Sequence, residues 1–437
     1  MTKATIAGRA FVTALVLLVL ALVVRYVSLE QDVRPASAIP PTITSEVHPS
    51  FLYGRINTAD GTSYEGRLRW GGDKEAFWGD YFNGAKRENL WVAKAFGERP
   101  SNERGLEIFG FTIGGGGRSN EFRRLFMTRF GDIARIEAHF RDVQVTLKSG
   151  TVVTLDRFAA GDIDDGVRVW DSRRGVVDLD ARQIRTIEFL PTAPLVDAAP
   201  DRLHGTVRTR HGDFTGVIEW NQEDYLGADE LEGRTGDSEQ SLRYDTIRSI
   251  ARHSRDHALV TLVDGREMVL SDSREVGSGF HGIYVDDARY GRVLISWDAF
   301  ERVDFSRGEG GLAYGDFPPG RPLVGSVTTR DGRRLAGRLV YDFDESETTE
   351  TLDAALQGVD YNIRFSLITS IVPNSRDAHG AQRAKVILRY DEELHLDRTG
   401  DLGEGNAGML IFVDGRERPE YVPWIDVDRI DLDRPPS

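Results

Sequence analysis

Residues 54–70 read GRINTADGTSYEGRLRW, and this stretch decides the fold. Apolar and polar residues alternate on both sides of Asp60-Gly61, a turn pair that favours a tight β-hairpin. The pattern returns as GTVRTRHGDFTGVIEW at 205–220 and as GSVTTRDGRRLAGRLVY at 325–341. Asp331-Gly332 and the variant His211-Gly212 mark the later turns, and the hairpins end in Trp70, Trp220 and Tyr341. Self-similarity of this kind predicts an all-β chain of three tandem repeats of small β-barrels or sheets, or six half-units.

Downstream, each repeat carries an aromatic-x-x-Ile-x-x-Ile signature: Phe130, Ile133, Ile136; Tyr244, Ile247, Ile250; Phe365, Ile368, Ile371. Spacing of three predicts one short helical turn that feeds a strand. An Arg-Asp pair follows in every copy (141–142, 255–256, 376–377), then an alternating strand: VQVTL, ALVTL or AKVIL. The closing segments match as well, with Trp297, Phe300 and Val303 answering Trp424, Val427 and Ile430. Features that recur between copies, including His139 and His253 in the first two, read as fold determinants, with each Arg bonding its neighbouring carboxylate locally.

The pattern Gly-x-Val-x-Thr, Asp-Gly, Gly-x-Leu resembles small Sm-like or SH3-like barrels and covers most of residues 54–432. The resemblance implies that fold and a tendency to bind other chains. Its RNA-binding members use basic loops, and this chain lacks them: 55 Lys plus Arg against 70 Asp plus Glu give a net charge of −15. Nucleic acid is therefore excluded as the expected partner. With no Cys there is no disulfide, thiolate metal site or thiol nucleophile.

The N-terminal run AFVTALVLLVLALVV (10–24) continues through Tyr26 and Val27 to a length near the lower limit for a bilayer-spanning helix. Two readings compete: an uncleaved anchor over 10–27, or a signal peptide cleaved after Ala38 in Ala36-Ser37-Ala38. Both export the rest of the chain. The anchor reading leaves residues 1–9 in the cytoplasm, held by Lys3 and Arg9, and makes 28–50 a Pro-rich tether. Ala10, Ala14 and Ala21 would let the helix pack closely beside other membrane helices. The body then divides into repeat 1 (51–190), repeat 2 (202–306), a linker (307–322) and repeat 3 (323–433).

Repeat 1 departs from the others. Trp70 to Phe130 spans 60 positions, against 24 from Trp220 to Tyr244 and from Tyr341 to Phe365. The insert, 85–127, gathers Trp91, Phe96, Phe109, Phe111, Arg118, Phe122 and Arg123, with Trp78 just ahead of it. Aromatic residues with Arg are what the centre of a protein interface favours, so these are the candidate partner contacts. The competing reading is an extra hairpin packed on repeat 1.

Motifs for chemistry are sparse. The run Gly114 to Gly117 lacks the Lys-Ser/Thr of a phosphate loop. The acidic turn at 161–166 does not fit a calcium loop, and the acidic stretch from Asp342 to Glu350 reads as solvated. No His pairing supports zinc, and no cofactor motif occurs. The expectation is a non-enzymatic extracytoplasmic scaffold on the bacterial inner membrane, bound to protein subunits of a membrane complex. Its layout resembles extrinsic accessory subunits of respiratory or photosynthetic complexes. The alternatives are a cell-envelope module binding glycan or peptide through exposed Trp78 and Trp91, and a hydrolase with a carboxylate pair.

Overall fold

The alternation becomes strands throughout: in the computed structural model the chain is all-β. The structure describes residues 49–71, 74–87, 91, 106–108, 111–113, 125–157, 161–192, 202–271, 274–308 and 311–433. All belong to one of the chain's two compact units, 46–437. The apolar run with Ala10, Ala14 and Ala21, and the tether as far as residue 48, lie outside the described residues. Among those described, no helix is long and apolar enough to cross a membrane.

Repeat 1 comprises β1 (Tyr53–Thr58), β2 (Ser63–Trp70), β3 (Tyr81–Ala85), β4 (Leu106–Ile108), β5 (Phe111–Ile113), β6 (Leu125–Arg129), β7 (Ile133–Ala138), β8 (Asp142–Leu147), β9 (Val152–Asp156), β10 (Val167–Asp171), β11 (Gly175–Leu179) and β12 (Ile184–Phe189). Repeat 2 comprises β13 (His204–Thr209), β14 (Gly212–Trp220), β15 (Glu230–Thr235), β16 (Ser238–Arg243), β17 (Ile247–Arg252), β18 (His257–Leu262), β19 (Glu267–Ser271), β20 (Ile283–Asp287), β21 (Gly291–Ile295) and β22 (Phe300–Phe305). Repeat 3 comprises β23 (Val324–Thr329), β24 (Arg334–Tyr341), β25 (Thr351–Leu356), β26 (Val359–Arg364), β27 (Ile368–Arg376), β28 (Gln382–Leu388), β29 (Glu393–Leu396), β30 (Met409–Phe412), β31 (Glu420–Val422) and β32 (Val427–Leu432).

Eight strands recur in one order. Repeat 1 runs β11-β10-β2-β1-β12-β7-β8-β9, and the corresponding strands of repeats 2 and 3 follow the same sequence. The antiparallel pairs β7·β12, β17·β22 and β27·β32 sit at the middle of each run. The aromatic-x-x-Ile signature is a one-turn 3-10 helix (Phe130–Asp132, Tyr244–Thr246, Phe365–Leu367) that leads directly into β7, β17 and β27.

Half-units are not independent. In repeat 2 the hairpin β15–β16, from the first half, lies on β19 of the second. The hairpin β20–β21, from the second half, lies on β14 of the first. The halves exchange hairpins across the β17·β22 pair, so the two halves of this repeat are not separate barrels. The Arg-Asp pairs also differ from expectation, since at two of the three the aspartate bonds a partner other than its neighbouring arginine. Asp142 bonds Arg87 at 3.0 Å, and Asp377 receives the backbone N–H of His379 and Ala381.

Glycine sets the curvature. The cross-strand pairs Gly54↔Gly66, Gly205↔Gly216 and Gly325↔Gly337 occupy the same place in each repeat. A Cβ on Gly54 or Gly66 would lie 2.3 Å from the carbonyl oxygen of Glu188 or 1.9 Å from that of Trp170. The first hairpin of each repeat therefore folds tightly against its flanking strands only because both positions lack a side chain.

The repeats join one another directly. Strand β26 of repeat 3 pairs antiparallel with β21 of repeat 2, giving a sheet that crosses the 307–322 segment. Repeats 2 and 3 share one apolar core. That segment is a clasp rather than a spacer: Phe317 and Tyr314 pack into the core of repeat 1. Phe317 fills the space above Gly131, where a Cβ would come within 2.4 Å of its ring, and the Arg129 guanidinium stands 4.9 Å from the ring centre. Phe317→Ala is expected to cost about 3 kcal/mol in denaturant unfolding and to open 307–322 to protease. Unchanged stability would mean that the clasp contributes nothing.

Candidate functional site

The ring that ends each first hairpin organises a loop beneath it. Trp70 Nε1 donates to the carbonyl of Asp162, Trp220 Nε1 to that of Glu275 at 3.0 Å, and Tyr341 Oη to that of Asp401 at 2.6 Å. The carboxylates of the same three residues accept the backbone N–H of Asn83, Glu232 and Asp353, at 2.6, 2.5 and 2.7 Å. A second carboxylate clamps the loop after the ring. Asp80 accepts N–H from Glu75 and Ala76, Asp229 from Tyr225 and Leu226, and Glu350 from Ser346 and Glu347. These clamps were legible as a carboxylate ten positions after Trp70 and nine after Trp220 and Tyr341, a recurrence the sequence reading passed over.

Where repeats 1 and 2 meet, a cavity of about 180 Å³ is lined by Lys74, Asp80, Tyr81, Asn83, Met127, Glu219, Gln222, Tyr225, Tyr284 and Arg292. Its walls are a buried ionic lattice. Arg292 donates to Gly79 O at 2.6 Å and to Glu219 at 2.7 Å, and stacks 3.7 Å from the centre of the Tyr284 ring. Burial opposes the charge on Arg292, but Glu219 and Asp286 outweigh it and hold its pKa above the ordinary arginine value. Tyr81 donates to Asp286 at 3.1 Å and Tyr225 to Glu75 at 2.9 Å. Burial likewise works against ionised Glu75, yet its bonds to Arg69 and Arg67 hold its carboxyl below the usual range. Of the two cavity carboxylates, Asp80 bonds Arg202 at 3.2 Å and Glu219 bonds Arg292. Each faces an arginine.

The predicted contact residues lie elsewhere. Trp78 is half-buried against Phe317, with the guanidiniums of Arg129 and Arg364 each 5.3 Å from its ring centre. Burial and the neighbouring Arg129 lower Arg364 to about 10. Trp91 is half-buried too, edge-on to Phe412 at 5.9 Å and under Arg338. Neither indole stands free in solvent. The described start of the insert reaches repeat 3, since Lys86 binds Asp344 at 2.7 Å and Glu350 at 3.2 Å. For Phe111 the structure describes the strand alone, and Phe96, Phe109, Arg118, Phe122 and Arg123 lie outside the described residues.

The acidic stretch from Asp342 to Glu350 departs from the solvated reading, whereas Asp164 and Asp165 of the 161–166 turn are exposed. Asp342, Asp344 and Glu347 are buried, and Asp342 accepts the N–H of Ala407. The turn at 161–166 contains the short helix Gly161–Asp164, whose Asp162 pairs with Lys74 at 2.8 Å. Buried charge is tolerated here because each group has a partner. Among the described residues no group of three His, Asp or Glu side chains is arranged to hold a metal ion.

Repeat 2 carries raised acids. Burial and then Asp229 lift Asp224 to about 7, and burial lifts Glu275 to about 8 against its bond from the Glu232 N–H. A carboxyl raised on folding stabilises below its unfolded pKa, and that stability is lost as pH rises through the folded value. The window for Asp224 is therefore pH 4 to 7. Asp224→Asn is expected to flatten the fall in melting temperature over that window and to gain about 2 kcal/mol at pH 8. An unaltered pH profile would refute the assignment.

No family model, no curated protein and no solved structure matches the chain.

Proposed function

We propose that this protein is a non-enzymatic, membrane-anchored extracytoplasmic scaffold, an accessory subunit that binds and stabilises a larger membrane protein complex. In this reading its body is three tandem small β-barrel repeats carried by the 10–27 helix on the bacterial inner membrane. The observation that carries it is the internal satisfaction of the cavity between repeats 1 and 2. Asp80 bonds Arg202, Glu219 bonds Arg292, Tyr81 bonds Asp286, Tyr225 bonds Glu75, Lys74 bonds Asp162, and Arg292 also donates to the Gly79 carbonyl. Such a lattice fixes the repeats in place and leaves little for a substrate to bind. Joined sheets, a shared core and a clasping segment favour a rigid docking body.

A second reading, a module binding glycan or peptide, is favoured by the rings of Tyr81, Tyr225 and Tyr284 around that cavity. The carboxylate-pair hydrolase draws the least support, because Asp80 and Glu219 are each bonded to an arginine.

Gentle detergent extraction of native membranes, with cross-linking and mass spectrometry, tests the scaffold. Stoichiometric co-migration with one membrane complex is the expected result. Migration as a free monomer overturns it, and binding of an oligosaccharide by the soluble body alone would establish the second reading.

A further inference from the structure

The three loop clamps are equivalent in geometry but differ in charge balance. The clamp of repeat 1, Asp80, takes the guanidinium of Arg202, which begins repeat 2. The clamp of repeat 3, Glu350, takes the ammonium of Lys86, which belongs to the insert of repeat 1. Each is thus completed by a basic side chain from another repeat. The clamp of repeat 2, Asp229, has the same two backbone donors and no ion pair among the described residues.

Its surroundings repeat the comparison. The position four residues after the ring, bridged to it in each repeat, is Lys74, Asp224 or Glu345. In repeat 1 the lysine is built in and pairs with Asp162. In repeat 3, Lys86 pairs with Asp344 beside Glu345, and although it works to lower the Glu345 carboxyl, burial and Asp344 hold that carboxyl well above its ordinary value. In repeat 2, Asp224 bonds the Tyr244 hydroxyl at 3.2 Å and faces Asp229, Glu223, Glu232 and Glu275. Asp224 and Asp229 are half-buried, and Glu223 and Glu232 are exposed, so the group opens to solvent.

We infer that the repeat 2 clamp, Asp229 with Asp224 and Glu223, is a docking point for one basic side chain of a partner protein, seated as Lys86 is seated in repeat 3. In the equivalent positions Lys86 contacts Asp344 and Glu350, which correspond to Glu223 and Asp229. The ligand is a cation with N–H donors, because both occupied clamps bind through hydrogen bonds as well as charge. The identity of the occupant as a protein side chain rests on the scaffold reading. The site itself rests on the repeat comparison.

The test uses the full-length chain and follows thermal unfolding at pH 8. Adding n-butylammonium or n-propylguanidinium is expected to raise the melting temperature by about 2 °C over the same concentration of tetramethylammonium, which has no N–H. Asp229→Asn keeps the clamp's oxygen acceptor and removes its charge, and should abolish the difference. Asp224→Lys copies repeat 1, and should raise the melting temperature without any added amine and remove the response to it. Equal shifts with tetramethylammonium would reduce the effect to screening and overturn the proposal. A larger shift with calcium chloride would overturn it in favour of a metal site. Asp224→Lys lowering stability, or leaving the amine response intact, would also overturn it. Native extraction reports on the complex and the amine titration on the clamp, so failure of one is distinguishable from failure of the other.

Discussion

Gly66→Ala is expected to abolish folding of repeat 1, at a cost above about 4 kcal/mol. The new Cβ would sit 1.9 Å from the Trp170 carbonyl oxygen and 2.7 Å from its carbon. Both atoms belong to backbone in the β2·β10 ladder, where Gly66 opposes Asp171, so neither can swing aside as a side chain would. Relief requires parting the two strands, and that would expose Leu68, Val169 and the buried face of Trp70. Gly61→Ala provides the contrast. Gly61 is left-handed (φ +86°) with no neighbour within 4 Å of a Cβ, so that change costs only the conformational strain, about 1 kcal/mol. Circular dichroism and denaturant unfolding of the two variants should differ sharply. A Gly66→Ala protein with near-native stability would refute the close approach.

Glu75→Ala should be the next most damaging change, at about 3–5 kcal/mol. Glu75 is fully buried, and its two oxygens bind Arg67, Arg69 and the Tyr225 hydroxyl. Removing it leaves two guanidiniums facing each other without an anion and strands the hydroxyl that repeat 2 contributes. Because its pKa is lowered, the stability it supplies is present above about pH 4.5 and is lost as pH falls through the folded value. Acid unfolding of the wild type should therefore lose a component in Glu75→Ala that Asp224→Asn retains. Identical acid limbs for all three proteins would remove Glu75 from the account.

Whatever was local was readable beforehand. Asp60-Gly61 and Asp331-Gly332 impose turns by their own conformational preferences, and Phe130-x-x-Ile133 imposes its helical turn by spacing. What escaped depends on partners far along the chain. Alternation within β21 and β26 announces two strands but not that they pair, since hydrogen bonding of backbone carries no residue signature. The 307–322 segment looks like a spacer by composition, yet Phe317 finds its cavity only because Gly131, far upstream, is bare. The same holds for the acidic stretch 342–350, whose burial depends on Lys86 arriving from the insert. Of the site, the ring and its turn were legible. The clamps were visible only as a recurrence of carboxylates at one offset.

The joint between β21 and β26 also bears on how the chain is made. When repeat 2 has left the ribosome, β21 is a finished edge strand whose partner, residues 359–364, is still to come. Until then the nascent chain displays an unpaired row of amides and carbonyls carrying Val293 and Ile295, the kind of edge along which chains associate wrongly. A message truncated after residue 306 would make that exposure permanent. Repeat 3 thus acts, for the period of synthesis, as the delayed cover of its predecessor, and a chaperone would be needed most in the interval before it arrives.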